Sequence, residues 1–197
     1  MKSRASPKLK ADPGYFKAFA EVMKRLERSL NSGAKKPVVV CVAGGAALHL
    51  YTGTRVSKDV DATVMARYLP PDNLEVSYRD ADGHARLLYF DTQYNDTYAL
   101  LHADAYDDAL SITVPGVDAK RLDVRLLSPL DLAVSKLSRF ETHDQEDIRA
   151  LAKAGLIDAS RVRVRAEEAL PAYVGDTRRV KTSIALAEKL VRESQPS

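Results

Sequence analysis

Cysteine is almost absent from the sequence: Cys41 is the only one, so the chain cannot form an internal disulfide bond. It lies in the apolar run PVVVCVA, where a small buried side chain is expected rather than a redox group. No segment reaches the roughly eighteen apolar residues that a membrane span requires, and the basic start MKSRASPKLK is not followed by the apolar stretch of a secretion signal. We therefore expect a cytoplasmic protein without a membrane anchor.

The motifs of several enzyme classes are missing as well. The four histidines have neither His-x-His nor HExxH spacing, which disfavours a zinc site. No stretch matches the longer P-loop or dinucleotide-binding fingerprints, and no local pattern indicates a Ser-His-Asp arrangement. Zinc chemistry and covalent hydrolase chemistry are therefore not favoured.

Charge is unevenly distributed along the 197 residues, although the net charge is only +3. Residues 1–36 hold ten Lys and Arg against three acids, residues 37–160 hold twelve against nineteen, and residues 161–197 hold eight against five. The basic ends are either solvated helix faces or a surface for a polyanion such as RNA. The side chains that could form such a surface are Lys17, Lys24, Arg25, Arg28, Arg161, Arg163 and Arg165.

The hydrophobic pattern predicts an α/β (α+β) fold with a mixed, mostly antiparallel sheet, flanked by helices and followed by a helical C-terminal part. We expect an N-terminal helix packed on the core in residues 1–36, the α/β core in residues 37–127 and the helical part in residues 128–197. The predicted strands are residues 37–43, Lys58–Val64, Leu74–Arg79, Arg86–Asp91, Tyr98–Tyr106, Ala109–Val114 and Arg121–Leu127. The first two predicted helices run from Asp12 to a stop at Gly33 and from Gly44 through Tyr51. A third begins at Ser128, and a fourth runs from His143 to near Gly155. The last helical segment covers residues 159–195 and breaks at Pro171 to Gly175.

Two aspartates lie two residues apart in the predicted strand Lys58–Val64. Residues at this spacing face the same side of a strand about 6–7 Å apart, so the carboxylates of Asp59 and Asp61 converge. They either lie on a solvated strand face or share a divalent cation, and hard oxygen ligands near substrate phosphates are typical of Mg²⁺. Gly44 and Gly45 precede them at a strand-to-helix turn, where exposed backbone N–H groups let a phosphate approach closely. Together these features favour a phosphate site beside a metal site.

The stretch AGGAALHLYTGTRVSKDVDATV resembles the signature of the polymerase-beta-like nucleotidyltransferase superfold, a Gly-Gly or Gly-Ser turn followed by Asp-x-Asp or Asp-x-Glu on the next strand. The match includes an Arg-x-Ser/Thr-x-Asp-x-Asp run, which begins here at Arg55 and Ser57. Within that fold, SPLDLAVSKLSRFETHDQEDIRAL is similar to the AbiEii-type, toxin-like branch and its uncharacterised relatives, which carry a lysine and then an Asp-x-x-Asp step, matched by Lys136, Asp144 and Asp147. The resemblance covers roughly residues 37–157.

Members of this superfold normally have a third carboxylate on a strand beside the pair. Our first choice is Asp104, in the predicted strand Tyr98–Tyr106, with Asp107 and Asp91 as reserves. The resemblance implies that Asp59, Asp61 and Asp104 hold Mg²⁺ or Mn²⁺ and perform the catalysis. It also implies that the NTP substrate binds to Gly44, Gly45, Arg55, Ser57 and Lys136.

The resemblance thus implies a metal-dependent enzyme that moves a nucleoside monophosphate from an NTP to a hydroxyl, with RNA such as a tRNA end as acceptor and a cognate antitoxin protein as a partner. A small-molecule acceptor is also open. The alternative class is a catalytically silent protein on the same scaffold that binds nucleotide or another protein.

Overall fold

The chain forms two units in the computed structural model, which describes residues 7–30, 36–66, 68, 70–71 and 74–195. The first unit comprises Met1–Tyr94 and Ala109–Leu126, and the second comprises Asn95–Asp108 and Leu127–Ser197. The whole sheet lies in the first unit, and the C-terminal helices lie in the second.

A six-stranded mixed sheet is the framework of the first unit. Its strands are β1 (Val38–Val42), β2 (Asp59–Val64), β3 (Glu75–Arg79), β4 (Ala85–Asp91), β5 (Leu110–Ser111) and β6 (Leu122–Leu126), in the order β3-β4-β2-β1-β6-β5. The pairs β1–β6 and β2–β4 are parallel, and the other three pairs are antiparallel. The predicted mixed, mostly antiparallel sheet is therefore confirmed for the described residues.

The described residues of the first unit also form two helices, α1 (Pro13–Ser29) and α2 (Gly44–Thr52). The start of α1 is confirmed, because the carboxylate of Asp12 accepts a hydrogen bond from the Tyr15 N–H at 2.9 Å and proline occupies the first helical position. The helix packs its apolar face on β3 and β4. It ends at Ser29, and the predicted stop at Gly33 lies outside the described residues.

A buried histidine on α2 connects this helix to two other segments. Nε2 of His49 accepts a hydrogen bond from the Asp12 N–H at 3.2 Å, so Nδ1 carries the proton and donates it to the Thr54 carbonyl at 2.5 Å. The ring also packs on Tyr15, with centroids 4.4 Å apart. The neutral imidazole thus fixes the loop that leads into β2 relative to the start of α1.

The second unit contains four α-helices in its described residues, α3 (Pro129–Ser135), α4 (Thr142–Lys153), α5 (Ala159–Ala169) and α6 (Thr177–Ser194). A short 3₁₀ turn, Leu170–Ala172, follows α5 and produces the predicted break. Ser128, Asp158 and Asp176 each cap the following helix with a side-chain oxygen. Within the described part of the chain, every helix is too short or too polar to cross a membrane.

Buried charges join α3 to α4. The Lys136 ammonium donates to Asp147 at 2.6 Å and lies 3.9 Å from Asp144, and all three side chains are at most 8% exposed. Arg139 donates two hydrogen bonds of 2.8 Å to Asp144. Burial alone would raise the pKa of the Asp144 carboxyl, but the Arg139 hydrogen bond, the Glu141 N–H and the Lys136 charge together hold it below its ordinary value.

One predicted strand is wrong. Residues 98–106 form no strand: residues 100–102 are irregular, and a turn follows in which the Ala105 N–H bonds to the His102 carbonyl and the Asp108 N–H bonds to the Asp104 carbonyl. Short-range bonds of this kind satisfy backbone groups locally, so these residues need no sheet partner although their alternating pattern is typical of a strand. The predicted strand Ala109–Val114 is also shorter than expected and pairs as a strand only over Leu110–Ser111.

Replacing Asp147 with Asn should lower the free energy of unfolding by about 3 kcal/mol, because the buried Lys136 ammonium then loses its closest negative charge. The measurement is urea unfolding followed by circular dichroism at neutral pH. Glu193→Gln is the matched control, since Glu193 is 61% exposed and pairs with Lys189 at 3.8 Å; it should cost less than about 1 kcal/mol. Equal losses in the two variants would contradict a stabilising role for the buried pair.

Candidate active site

The two aspartates of β2 lie on one face of the strand, as the spacing predicts. Val60 and Ala62 are buried on the opposite face, whereas Asp59 and Asp61 are partly exposed. One face of the strand therefore belongs to the core and the other presents both carboxylates.

A third aspartate lies beside this pair on the neighbouring strand. Because β2 and β4 are parallel and in register, Asp61 is opposite Asp91 and Asp59 is opposite Tyr89. Opposed residues of adjacent strands share a face, and neighbouring strands lie about 4.8 Å apart, so the three carboxylates belong to one surface. The negative charge of Asp59 above all, then burial, then the charges of Asp91 and Asp61 raise the pKa of the Tyr89 phenol.

The glycine turn that opens α2 packs directly against this surface. Gly44 has a φ of +56°, and a Cβ at this position would overlap Oδ2 of Asp61 and lie 2.8 Å from its Cγ. The backbone of the same turn is bonded to β2, because the Ala43 N–H donates to the Asp61 carbonyl at 2.8 Å. Only a residue without a side chain therefore lets the start of α2 approach the carboxylate this closely.

The second glycine of the turn meets the loop before β2. A Cβ on Gly45 would lie 2.8 Å from Oγ of Ser57 and 3.3 Å from a guanidinium nitrogen of Arg55. Ser57 is buried and donates a hydrogen bond to Oδ1 of Asp59. The structure thus brings five predicted site residues of the first unit together with Asp59: Gly44, Gly45, Arg55, Ser57 and Asp61.

This arrangement has the chemistry of an anion site next to a cation site. The N-terminus of a helix directs backbone N–H groups and the positive end of its dipole toward an anion, and Arg55 adds a full positive charge nearby. Carboxylates of Asp59, Asp61 and Asp91 are hard oxygen donors that suit Mg²⁺ or Mn²⁺. A phosphate ester and a divalent cation could therefore be held side by side.

A second acidic cluster lies in the β3–β4 turn, and hydrogen bonds within that turn account for its close spacing. Ligand atoms of Asp80, Asp82 and His84, in the β3–β4 turn, lie within 4.8 Å of one another, a spacing that Asp59, Asp61 and Asp91 do not reach among the described residues. Asp80 accepts hydrogen bonds from the Asp82 and His84 N–H groups and from Arg86. The Arg86 hydrogen bond is the main cause that lowers the pKa of the Asp80 carboxyl. This cluster is a closed hairpin turn rather than an open set of ligands.

The remaining two predicted site residues belong to the second unit. Asp104 lies in the turn segment, with its side chain 66% exposed and its N–H bonded to Nδ1 of His102. The predicted strand that would place Asp104 beside the pair does not form, so the structure does not support Asp104 as the third carboxylate. The reserve Asp91, in contrast, lies on a strand beside the pair. Lys136 is engaged by Asp147 within its own unit, and its role as a nucleotide ligand stays a prediction.

Acidic neighbours accompany many of the basic side chains predicted to form a polyanion surface. Lys24 and Arg25 both pair with Glu21 on α1. Arg163 pairs with Glu167 and Glu188, while Arg165 donates to Asp131 and Asp108 and is only 13% exposed. Glu21, Glu167 and Glu188 are already counted in the charge totals of the chain ends, whereas Asp108 and Asp131 are not, so those totals overstate the free positive charge at Arg165.

Comparison with known proteins identifies the family to which the chain belongs. No curated protein and no solved structure matches the chain. A family model described as "Nucleotidyltransferase of unknown function (DUF6036)" matches residues 17–193. This range includes the glycine turn, all three carboxylates and the C-terminal helices apart from the last residue of α6. The chain therefore belongs to this family of nucleotidyltransferases of unknown function, DUF6036.

Proposed function

We propose that the protein transfers a nucleoside monophosphate from an NTP to a hydroxyl group and releases pyrophosphate, in a reaction that depends on Mg²⁺ or Mn²⁺. The observation that carries this proposal is the close approach of the Gly44 turn to Asp61, which puts a phosphate-binding helix start directly against a carboxylate pair. A solvated strand face would not require a glycine at this contact.

Each residue of the site has a distinct task in this reaction. The N–H groups of Gly44 and Gly45 and the Arg55 guanidinium hold the β- and γ-phosphates, while Asp59 and Asp61 would hold the cations. Mg²⁺ or Mn²⁺, when bound, neutralises phosphate charge and makes the acceptor hydroxyl more acidic. Ser57 donates to Oδ1 of Asp59 and thereby restricts the rotation of that carboxylate.

Asp91 completes the proposed site as the third carboxylate. It accepts the proton of the acceptor hydroxyl as the hydroxyl oxygen forms its bond to the α-phosphorus. The bond between the α-phosphorus and the bridging oxygen breaks at the same time, and that oxygen leaves with its electron pair as part of pyrophosphate. The register of β4 beside β2 favours Asp91 over Asp104 for this role.

The acceptor class is the part of the proposal that depends most on resemblance. The AbiEii-like segment favours RNA, such as a tRNA end, and a cognate antitoxin as a protein partner. The pairing of Arg165 with Asp108 and Asp131 favours a smaller acceptor, because it removes one of the basic side chains that would hold a polyanion.

Incubation with each of the four NTPs, labelled in turn at the α-phosphate, should transfer label to one pool when Mg²⁺ and a cell extract are present. Separate RNA, protein and small-molecule fractions then identify the acceptor, and label in the γ-phosphate should appear only in pyrophosphate. Nucleotide binding without transfer of label to any pool would instead identify a silent nucleotide-binding protein.

Asp59→Asn and Asp61→Asn should abolish transfer without loss of fold, since each removes a cation ligand and relieves repulsion between neighbouring carboxylates. Asp91→Asn should reduce the rate by about 100-fold or more, the scale of general-base catalysis. Asp104→Asn is the comparison variant and should keep wild-type activity. Transfer lost in Asp104→Asn but kept in Asp91→Asn would return the third carboxylate to Asp104, and activity that persists in excess chelator would reject the metal mechanism.

Gly44→Ala should eliminate transfer, because its Cβ would collide with Oδ2 of Asp61 and displace the carboxylate. Gly155→Ala is a matched control: Gly155 also has a positive φ, +68°, but a Cβ added there would meet nothing within 4 Å. Both variants should lose about 1–2 kcal/mol of stability from the left-handed backbone, and Gly44→Ala should lose more because its Cβ must also displace Asp61. Only Gly44→Ala should lose activity and Mg²⁺-dependent NTP binding. Thermal unfolding and calorimetric titration measure the two effects separately.

A further inference from the structure

A pocket in the first unit adjoins the candidate active site and has no part in the reaction as described so far. It has a volume of about 770 Å³ and lies between the loop that enters β2 and the β3–β4 hairpin. This volume is within the range of small-molecule binding sites. Ser57, which bonds to Asp59, is part of its wall.

The pocket wall contains a group of large apolar side chains that are open to solvent. Val56, Leu87 and Tyr89 all line it, and their exposed fractions are 42%, 43% and 39%. Apolar side chains of this size usually avoid water, and an exposed group of them next to a cleft marks a ligand-binding surface. Lys58 and Arg86 also line it, together with Asp12, Asp80 and Asp82, and Arg86 donates a hydrogen bond to Asp80.

The position of Tyr89 relative to the carboxylates restricts what the pocket can hold. Tyr89 is the register partner of Asp59 on the adjacent strand, and its N–H donates to the Lys58 carbonyl at 3.0 Å. Neighbouring strands lie about 4.8 Å apart. A group stacked on the Tyr89 ring is therefore held within about the length of one sugar from a phosphate at Asp59.

We propose that this pocket binds the nucleobase of the NTP, stacked on Tyr89 and against Leu87 and Val56, while the triphosphate lies at the Gly44–Gly45 turn. The inference depends on the proposed nucleotidyl transfer. A nucleobase fits because its planar apolar faces stack on aromatic rings, and because the ribose fixes it at a short distance from the α-phosphate. An acceptor must bring one hydroxyl to the α-phosphorus, but the rest of the acceptor has no fixed distance from it. The ribose does fix that distance for the base, so the short separation of Tyr89 and Asp59 favours the base.

The chain has no tryptophan, which gives a direct test of base position. Tyr89→Trp introduces a single indole fluorophore beside Asp59, and its emission should be quenched saturably by ATP, GTP, CTP or UTP with Mg²⁺. Tripolyphosphate, which has no base, should displace the NTP without quenching by itself. Leu186→Trp on α6 is the control, because Leu186 is 51% exposed in the second unit; its emission should not respond to NTP.

Calorimetric titration provides a second readout with the natural pocket. Tyr89→Ala should weaken NTP binding about 5- to 150-fold, the range expected for loss of one base stack, and should leave tripolyphosphate binding unchanged. Tyr89→Phe keeps the ring and should bind as the wild type does. Equal affinity for NTP and tripolyphosphate in the wild type, with no effect of Tyr89→Ala, would overturn the base pocket and leave the nucleotidyltransferase proposal standing. No binding of either compound to the wild type would overturn both.

Discussion

The contact between Gly44 and Asp61 is the constraint on which the candidate active site depends. The turn from β1 into α2 requires a positive φ, and the carboxylate occupies the space where any side chain would project. This contact fixes the start of α2, and with it the outward-facing N–H groups, at a set distance from β2. The glycine turn and the carboxylate pair are therefore one packed structure rather than two independent motifs.

Several further contacts keep the loop before β2 in the place that this contact needs. His49 bonds to both Asp12 and Thr54, so the loop is attached to the two helices of the first unit. Ser57, at the end of the loop, is buried and bonded to Asp59. A site that must hold several negative groups close together benefits from such restraints, because the carboxylates cannot relieve their repulsion by turning away.

The sequence predicts an element of the fold correctly where the physical cause of that element lies in neighbouring residues. Asp12 and Pro13 determine the start of α1 through hydrogen bonding and a fixed φ, and the alternation over Asp59–Val64 reports one buried face. The strand predicted over Tyr98–Tyr106 failed because alternation does not reveal turn bonds that satisfy the backbone without a partner. The place of Asp91 could not be predicted, since it depends on a parallel pairing of β2 with β4 that no residue of either strand specifies. The pairing of Arg165 with Asp108 and Asp131 also joins residues that are far apart in the sequence, so it could not be predicted either.

The parallel pairing of β2 with β4 also determines when the acidic surface can exist. The chain between β2 and β4 forms β3, which pairs with β4 in the antiparallel direction. β4 can therefore pair with Asp61 only after the β3–β4 hairpin has been synthesised and has folded back onto β2. A nascent chain that has left the ribosome only as far as β3 carries the glycine turn and the first two carboxylates, but not Asp91 or Tyr89. Contacts between parallel strands span a longer loop than those of a hairpin, and that loop must close before they form. The growing polypeptide therefore cannot assemble the three carboxylates before β4 has been synthesised, at a point where β5 and β6 are still to come.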